Sequence, residues 1–147
     1  MVAVHTFEVY PTVEELNEAV GRAFLARLNT LINEAGADSR VNLAISGGAI
    51  TTSLLPSLLP SVDEVDWSHV RVWLVDERYV PAGDEDRNDE QAWEGFLHAA
   101  SGVEFVRMPT SDASAPGAGS LDEATVAFAD TWREIMGEGS FDIALIG

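Results

Sequence analysis

The chain has neither cysteine nor lysine among its 147 residues. Without cysteine there is no disulfide framework and no thiolate metal site. Without lysine every basic side chain is an arginine: eight of them stand against 25 acidic residues, for a formal net charge of −17. Such a surface repels nucleic acid and anionic membranes at long range, so neither is expected as a partner. Long apolar runs are also missing, since no stretch approaches the roughly 20 residues that cross a bilayer. Met1 to Tyr10 lacks the basic start and apolar core of a signal peptide. A cytoplasmic location is the expectation that follows.

What is present is a globular composition, 46% hydrophobic and 22% charged, in a length suited to one domain burying roughly two-thirds of its unfolded surface. A protein this acidic needs a local positive site to hold an anionic ligand, so each arginine is informative.

Periodicity organises the chain as alternating strands and helices. Val4 to Val9 (VHTFEV) alternates and predicts a first strand. Thr12 and Glu15 form a T-x-x-E capping box opening a long helix, whose apolar positions are Val13, Leu16, Val20, Phe24, Leu28 and Leu31. Gly36 ends it. Val41 to Ile45 is a second strand, followed by Ser46-Gly47-Gly48 and a helix over about 49–59 that Pro56 should kink or shorten. Val70 to Val75 is a nearly continuous apolar strand, as when both sheet faces are covered. A helix over about 88–100, a short strand at 103–107 and a turn-prone loop at 110–119, expected to be mobile, come next. Ser120 and Glu123 form another capping box, opening a helix to about Met136, and Phe141 to Ile146 is a buried-type strand.

This order predicts an α/β fold, a three-layer αβα arrangement with a mainly parallel, Rossmann-like sheet. In such a pattern the last strand should lead into a turn and a covering helix. The expectation is therefore one α/β domain over 1–147 that stops before its C-terminal part.

Open parallel sheets bind ligands beyond the carboxyl ends of their strands. Three features fall at such ends: Ser46-Gly47-Gly48, Asp76-Glu77-Arg78 and Gly147. The first fits a phosphate cradle, because glycines let backbone N–H groups and a helix start approach an anion. It fits equally a tight strand-to-helix turn with no ligand. In the second, alternate side chains share a side, so Asp76 and Arg78 can face one pocket while Glu77 points away. An arginine fork suits phosphate or carboxylate, and a plain surface ion pair is the competing reading. Asn88 is either a helix N-cap or a ligand contact. His5, His69 and His98 are not placed to act at these ends, and no His or Cys pair has metal-ligand spacing.

The run Trp73-Leu74-Val75-Asp76-Glu77-Arg78-Tyr79-Val80-Pro81, with an acidic loop and Arg87-Asn88 after it, closely resembles the W-x-x-D-E-R-x-V-P…N signature of 6-phosphogluconolactonases. Ser46-Gly47-Gly48 resembles that family's [ST]-G-G turn, and Phe141 to Gly147 resembles its F-D-x-x-L-x-G segment. The resemblance spans the chain. It implies hydrolysis of 6-phosphoglucono-1,5-lactone to 6-phosphogluconate, the second step of the oxidative pentose phosphate pathway, with a phosphorylated sugar lactone as partner and no cofactor or metal. It also implies that Ser46, Gly47 and Gly48 line the sugar-phosphate site, that Arg78 and Asn88 contact substrate, and that Asp76 orients catalysis. The family's general base is a histidine in a G-x-G-x-[DE]-G-H segment whose first glycine matches Gly147. These 147 residues are therefore expected to be nearly inactive alone.

Two departures stand out. Ala49 and Ile50 replace the serine and threonine that often continue the glycine turn, and Asp86-Arg87-Asn88 replaces [DS]-S-N, adding a cation beside the site or on the surface. The alternatives are a glucosamine-6-phosphate isomerase/deaminase, which resembles D-E-Y rather than D-E-R, and a non-catalytic sugar-phosphate-binding homologue. Oligomeric state is not encoded in any of these features.

Overall fold

A computed structural model describes residues 3–112 and 119–147. Four parallel strands, β1 (Val41–Ile45), β2 (Val70–Leu74), β3 (Glu104–Val106) and β4 (Ile143–Leu145), form one sheet in the order β3-β2-β1-β4. The register pairs Val41 with Val70 and Ile45 with Leu74 across β1 and β2, and Ile45 with Leu145 across β1 and β4. Parallel pairing makes all four strands end at one edge.

The strand period of two then assigns the faces. Val41, Leu43 and Ile45 on β1 and Val70, Val72 and Leu74 on β2 join one core with Phe24, Leu25 and Leu28 of helix α1 (Val13–Ala35). On the opposite face Trp73 makes edge contacts with Phe128 and Trp132 of helix α4 (Leu121–Met136), at centroid distances of 6.2 and 5.0 Å. The Trp73 indole N–H donates to Asn42 Oδ1 at 3.0 Å, so the buried ring keeps a hydrogen-bond partner. The expected three layers are thus formed.

The helix starts follow local chemistry. Thr12 and Ser120 accept from the N–H groups of Glu15 and Glu123, each at 3.1 Å, capping α1 and α4. Gly36 ends α1 with φ 84°. Val13 and Leu16, expected on the apolar stripe of α1, are exposed.

Three expectations need correction. Val4 to Val9 is not a strand: it runs without a ladder, and Phe7 and Val9 face solvent. Its polar alternates Thr6 and Glu8 instead line a groove of about 430 Å³ with Phe24 and Ile143. Alternation specifies two faces but supplies no partner edge. The helix after Gly48 is interrupted, as the kink or shortening expected at Pro56 implied, but its turns are not all α-helical. A π-helical turn (Ile50–Leu54) passes into one α-helical turn, α2 (Leu55–Ser57), and then a 3₁₀ segment (Leu59–Glu64). Pro56 has no N–H to donate, and Leu55 N–H bonds back to Ile50 O in the wider turn. The helix at 88–100 divides into α3 (Asn88–Gly95) and a 3₁₀ turn (Leu97–Ala99). Most of the loop at 110–119 lies outside the described residues.

Leu28 is fully buried between α1 and the sheet. Replacing it with alanine should cost about 2–5 kcal/mol, whereas Leu121→Ala, at an exposed site, should stay within about 0.5 kcal/mol. Urea unfolding of the two variants compares them directly.

Candidate functional site

The sheet ladder continues past the strands and draws their exits together. Val75 N–H donates to Ile45 O at 2.9 Å, and Ser46 N–H donates to Leu145 O at 3.0 Å. The Ser46 hydroxyl then accepts from Gly147 N–H at 3.0 Å. Ser46, Asp76 and Gly147 therefore leave the sheet side by side, as their positions at strand ends predicted.

Gly47 and Gly48 do different work. Gly48 has φ 64°, a left-handed conformation that favours glycine, and it turns the chain from β1 into the π-helical turn. Gly47 makes a close approach: a Cβ there would lie 2.1 Å from Asn88 Oδ1. Asn88 is buried and donates through Nδ2 to Asp76 O at 3.1 Å. One side chain thus bridges the glycine turn and the Asp76–Arg78 segment. Thr51 strengthens the join from the other direction, its hydroxyl lying 3.1 Å from Gln91 Oε1 on α3.

Asp76 and Arg78 are both exposed at the end of β2, and Arg78 Nη1 donates to Asp86 O at 3.1 Å. Glu77 turns the other way, into the protein. Its Oε1 accepts from the N–H groups of Arg78 and Asn88, each at 2.8 Å, and its Oε2 accepts from Asp89 N–H at 2.9 Å. Asn88 is consequently the first residue of α3 and not its N-cap. The cap comes from Glu77, eleven positions earlier, because Arg87 occupies the N-cap position and makes no side-chain cap bond.

Arg87 is neither on the surface nor open to the site. Its side chain is fully buried and paired with Asp89, Nε to Oδ1 at 3.1 Å and Nη2 to Oδ2 at 2.9 Å. Burial opposes the charged guanidinium, but hydrogen bonding to Asp89 and the charges of Asp89, Glu77 and Glu90 outweigh it. Its pKa stands above the ordinary arginine value. Sequence reasoning missed the Glu77–Arg87–Asp89 cluster. One signal was available: a helix beginning Arg87-Asn88-Asp89 has no good side-chain cap at the N-cap position, so a distant group had to supply it.

His69 and His98 stay away from this edge. His69 precedes β2 at the opposite end of the sheet, and His98 Nδ1 lies 2.8 Å from Trp93 O. Among the described residues no group of His, Asp and Glu could hold a metal ion. Among them, too, no helix is long and apolar enough to cross a membrane. A groove of about 710 Å³ between α1 and Ser57–Glu64 lies outside the site, and three glutamates among its lining residues make it a poor host for a phosphate.

Comparison with known proteins adds independent findings. The family described as glucosamine-6-phosphate isomerases/6-phosphogluconolactonase matches residues 11–147. A 6-phosphogluconolactonase from Streptomyces coelicolor is 31% identical over 140 residues, 88% of this chain and 53% of that protein. One from Mycobacterium tuberculosis is 25% identical over 146 residues, covering 97% and 58%. The chain thus spans little more than half the length of these relatives. The crystal structure of a 6-phosphogluconolactonase from Shewanella baltica superposes with a TM-score of 0.70 at 26% identity, covering 92% of this chain and 53% of that one.

Two outcomes test the geometry. Gly47→Ala should force Asn88 from Asp76 and cost about 1–3 kcal/mol, read as a lower urea midpoint and a displaced Asn88 side-chain amide resonance. Separately, Ala82 N–H and then the Thr110 hydroxyl hold the Asp112 carboxyl below its usual range. A depressed folded pKa means that this tether is intact above the ordinary aspartate value of about 3.9 and is lost as pH falls through the lower, folded value. The Ala82 amide resonance should move in that window and not at neutral pH.

Proposed function

The chain belongs to the family of glucosamine-6-phosphate isomerases and 6-phosphogluconolactonases, and from that membership we propose that the whole protein hydrolyses 6-phosphoglucono-1,5-lactone to 6-phosphogluconate. The observation that carries this reading is the convergence of the Ser46–Gly48 turn, Asp76–Arg78 and Asn88 at the carboxyl edge of the sheet. Relatives named as lactonases, and the arginine that follows Asp76-Glu77, favour the lactonase over the isomerase branch.

In the proposed site the sugar phosphate lies against the exposed backbone at Gly48 and Ala49. Alanine and isoleucine at 49 and 50 offer no hydroxyl, so more of the anion's hydrogen bonding falls on backbone N–H groups. Arg78 is exposed, and its guanidinium supplies the local positive charge that a protein of net charge −17 needs. Ser46, Gly47 and Asn88 shape the floor. Asp76, exposed beside Arg78, orients the reacting end.

Lactone hydrolysis requires a base to activate water and donors to stabilise the tetrahedral oxyanion. The chain offers donors, but His69 lies at the opposite end of the sheet and His98 bonds to Trp93 O beyond α3, so neither is proposed as the base. The 147 residues alone are therefore proposed to be nearly inactive while retaining phosphate-ester affinity. No metal or cofactor enters this reading. The cytoplasm is the proposed compartment.

The experiment pairs catalysis with binding. The 147-residue chain should turn over the lactone near the background rate and release no ammonia from glucosamine-6-phosphate. It should still bind 6-phosphogluconate, and Arg78→Ala should weaken that binding by about 10–100-fold, the loss of one charge-assisted hydrogen-bonding partner. Turnover by the chain at the rate of an intact lactonase would contradict the inactivity, and an Arg78→Ala variant of wild-type affinity would remove the site.

A further inference from the structure

We infer that Arg87 is the positioning residue of this site: from a fully buried location it fixes Arg78 and Asn88, the two side chains proposed to contact the anionic ligand. The inference rests on the sugar-phosphate reading for the ligand and on geometry alone for the positioning.

A guanidinium has five N–H donors in one plane, and each donor of Arg87 has its own acceptor. Nε and one Nη2 donor go to the two oxygens of Asp89. The other Nη2 donor goes to Met108 O at 2.9 Å. The two Nη1 donors go to Arg78 O at 2.8 Å and Pro109 O at 3.3 Å. Three chain segments, 78, 87–89 and 108–109, therefore meet on one side chain that solvent does not reach.

Glu77 completes the arrangement from the other side of the same turn. Its carboxylate lies 3.8 Å from Arg87 Nη2, with its side chain 2% exposed. It accepts from the N–H groups of Arg78, Asn88 and Asp89. The peptide unit of Arg78 is thus held at both its own ends, its N–H by Glu77 and its C=O by Arg87. Asn88 is held through its N–H by Glu77, while its side chain bridges Asp76 O and the face of Gly47.

A cluster concerned only with stability could hold any loop. This one holds the backbone of the residues that present Arg78 and Asn88, and it leaves the Arg78 guanidinium exposed. Glu77 and Asp89 are offset by Arg87 and by Arg107, which is half-exposed and 3.5 Å from Asp89. The cluster also includes Glu90, whose carboxylate lies 2.8 Å from Arg107 Nη1. Lysine could not substitute, since it has three donors around a point charge and no plane.

The test compares wild type, Arg87→Lys and Glu77→Gln in the 147-residue chain, using 6-phosphogluconate as the probe and amide hydrogen exchange as the second readout. Arg87→Lys should bind 6-phosphogluconate at least tenfold more weakly. Exchange at the amides of Arg78, Asn88 and Asp89 should rise at least tenfold, while exchange in β1 and β2 stays at the wild-type rate. Unchanged affinity and unchanged local exchange in folded Arg87→Lys would overturn the inference. A uniform rise across β1, β2 and 76–89 would overturn it too, since that is the signature of lost global stability alone. If Arg87→Lys fails to fold, Glu77→Gln decides by the same two measures. Failure of wild type to bind 6-phosphogluconate would sink the sugar-phosphate reading, and the exchange pattern would then decide the positioning role by itself.

Discussion

Parallel pairing of β1 with β2 is the constraint on which the site depends. With Ile45 opposite Leu74, the chain must leave both strands at the same level, and the ladder carries on through Val75 N–H to Ile45 O. A slip of one residue would exchange the two faces of β2. Trp73 would then enter the α1 core and Val72 would meet the aromatic ring cluster beneath α4. The apolar side chains on both faces therefore hold the register, and the register places Ser46 beside Asp76.

Upon that frame a second device gives the exits their shape. Turns at the ends of parallel strands have no ladder of their own, so side chains must satisfy their backbone groups. Glu77 and Arg87 do this for the segment after β2, and Asn88 ties it to the glycine turn after β1. A buried ion pair is seldom a large net source of stability, because desolvation offsets much of its attraction. Its usefulness here is directional, since a carboxylate and a guanidinium fix several backbone groups at set angles. The eight arginines of this acidic chain accordingly serve different ends. Arg87 is sealed inside, Arg78 faces solvent at the sheet edge, and Arg107 lies against the Trp93 and Phe105 rings at 5.7 and 5.1 Å.

Much of this was legible in one dimension. Periodicity located α1, β1, β2, β3, α4 and β4, and the hydroxyl caps at Thr12 and Ser120 marked two helix starts to the residue. The strand-end motifs Ser46-Gly47-Gly48 and Asp76-Glu77-Arg78 do meet. Errors arose where the outcome depended on something distant along the chain. Val4 to Val9 alternates like a strand but has no ladder to join. Asn88 has the chemistry of an N-cap, yet Glu77 took that role from across the turn. Arg87, beside the exposed Asp86, looked like a surface or site cation.

The sequence by itself determined the layering and the parallel sense of the sheet, and it pointed to the carboxyl edge as the place of a candidate site. Those properties follow from local periodicity, capping and the handedness of β-α-β connections. Only the tertiary structure decided which charged groups are buried and which remain free to meet a ligand. Burial of a charge depends on whether every donor finds an acceptor in three dimensions. Asp89, Met108, Pro109 and Arg78 meet around Arg87 only after the sheet has brought their segments together.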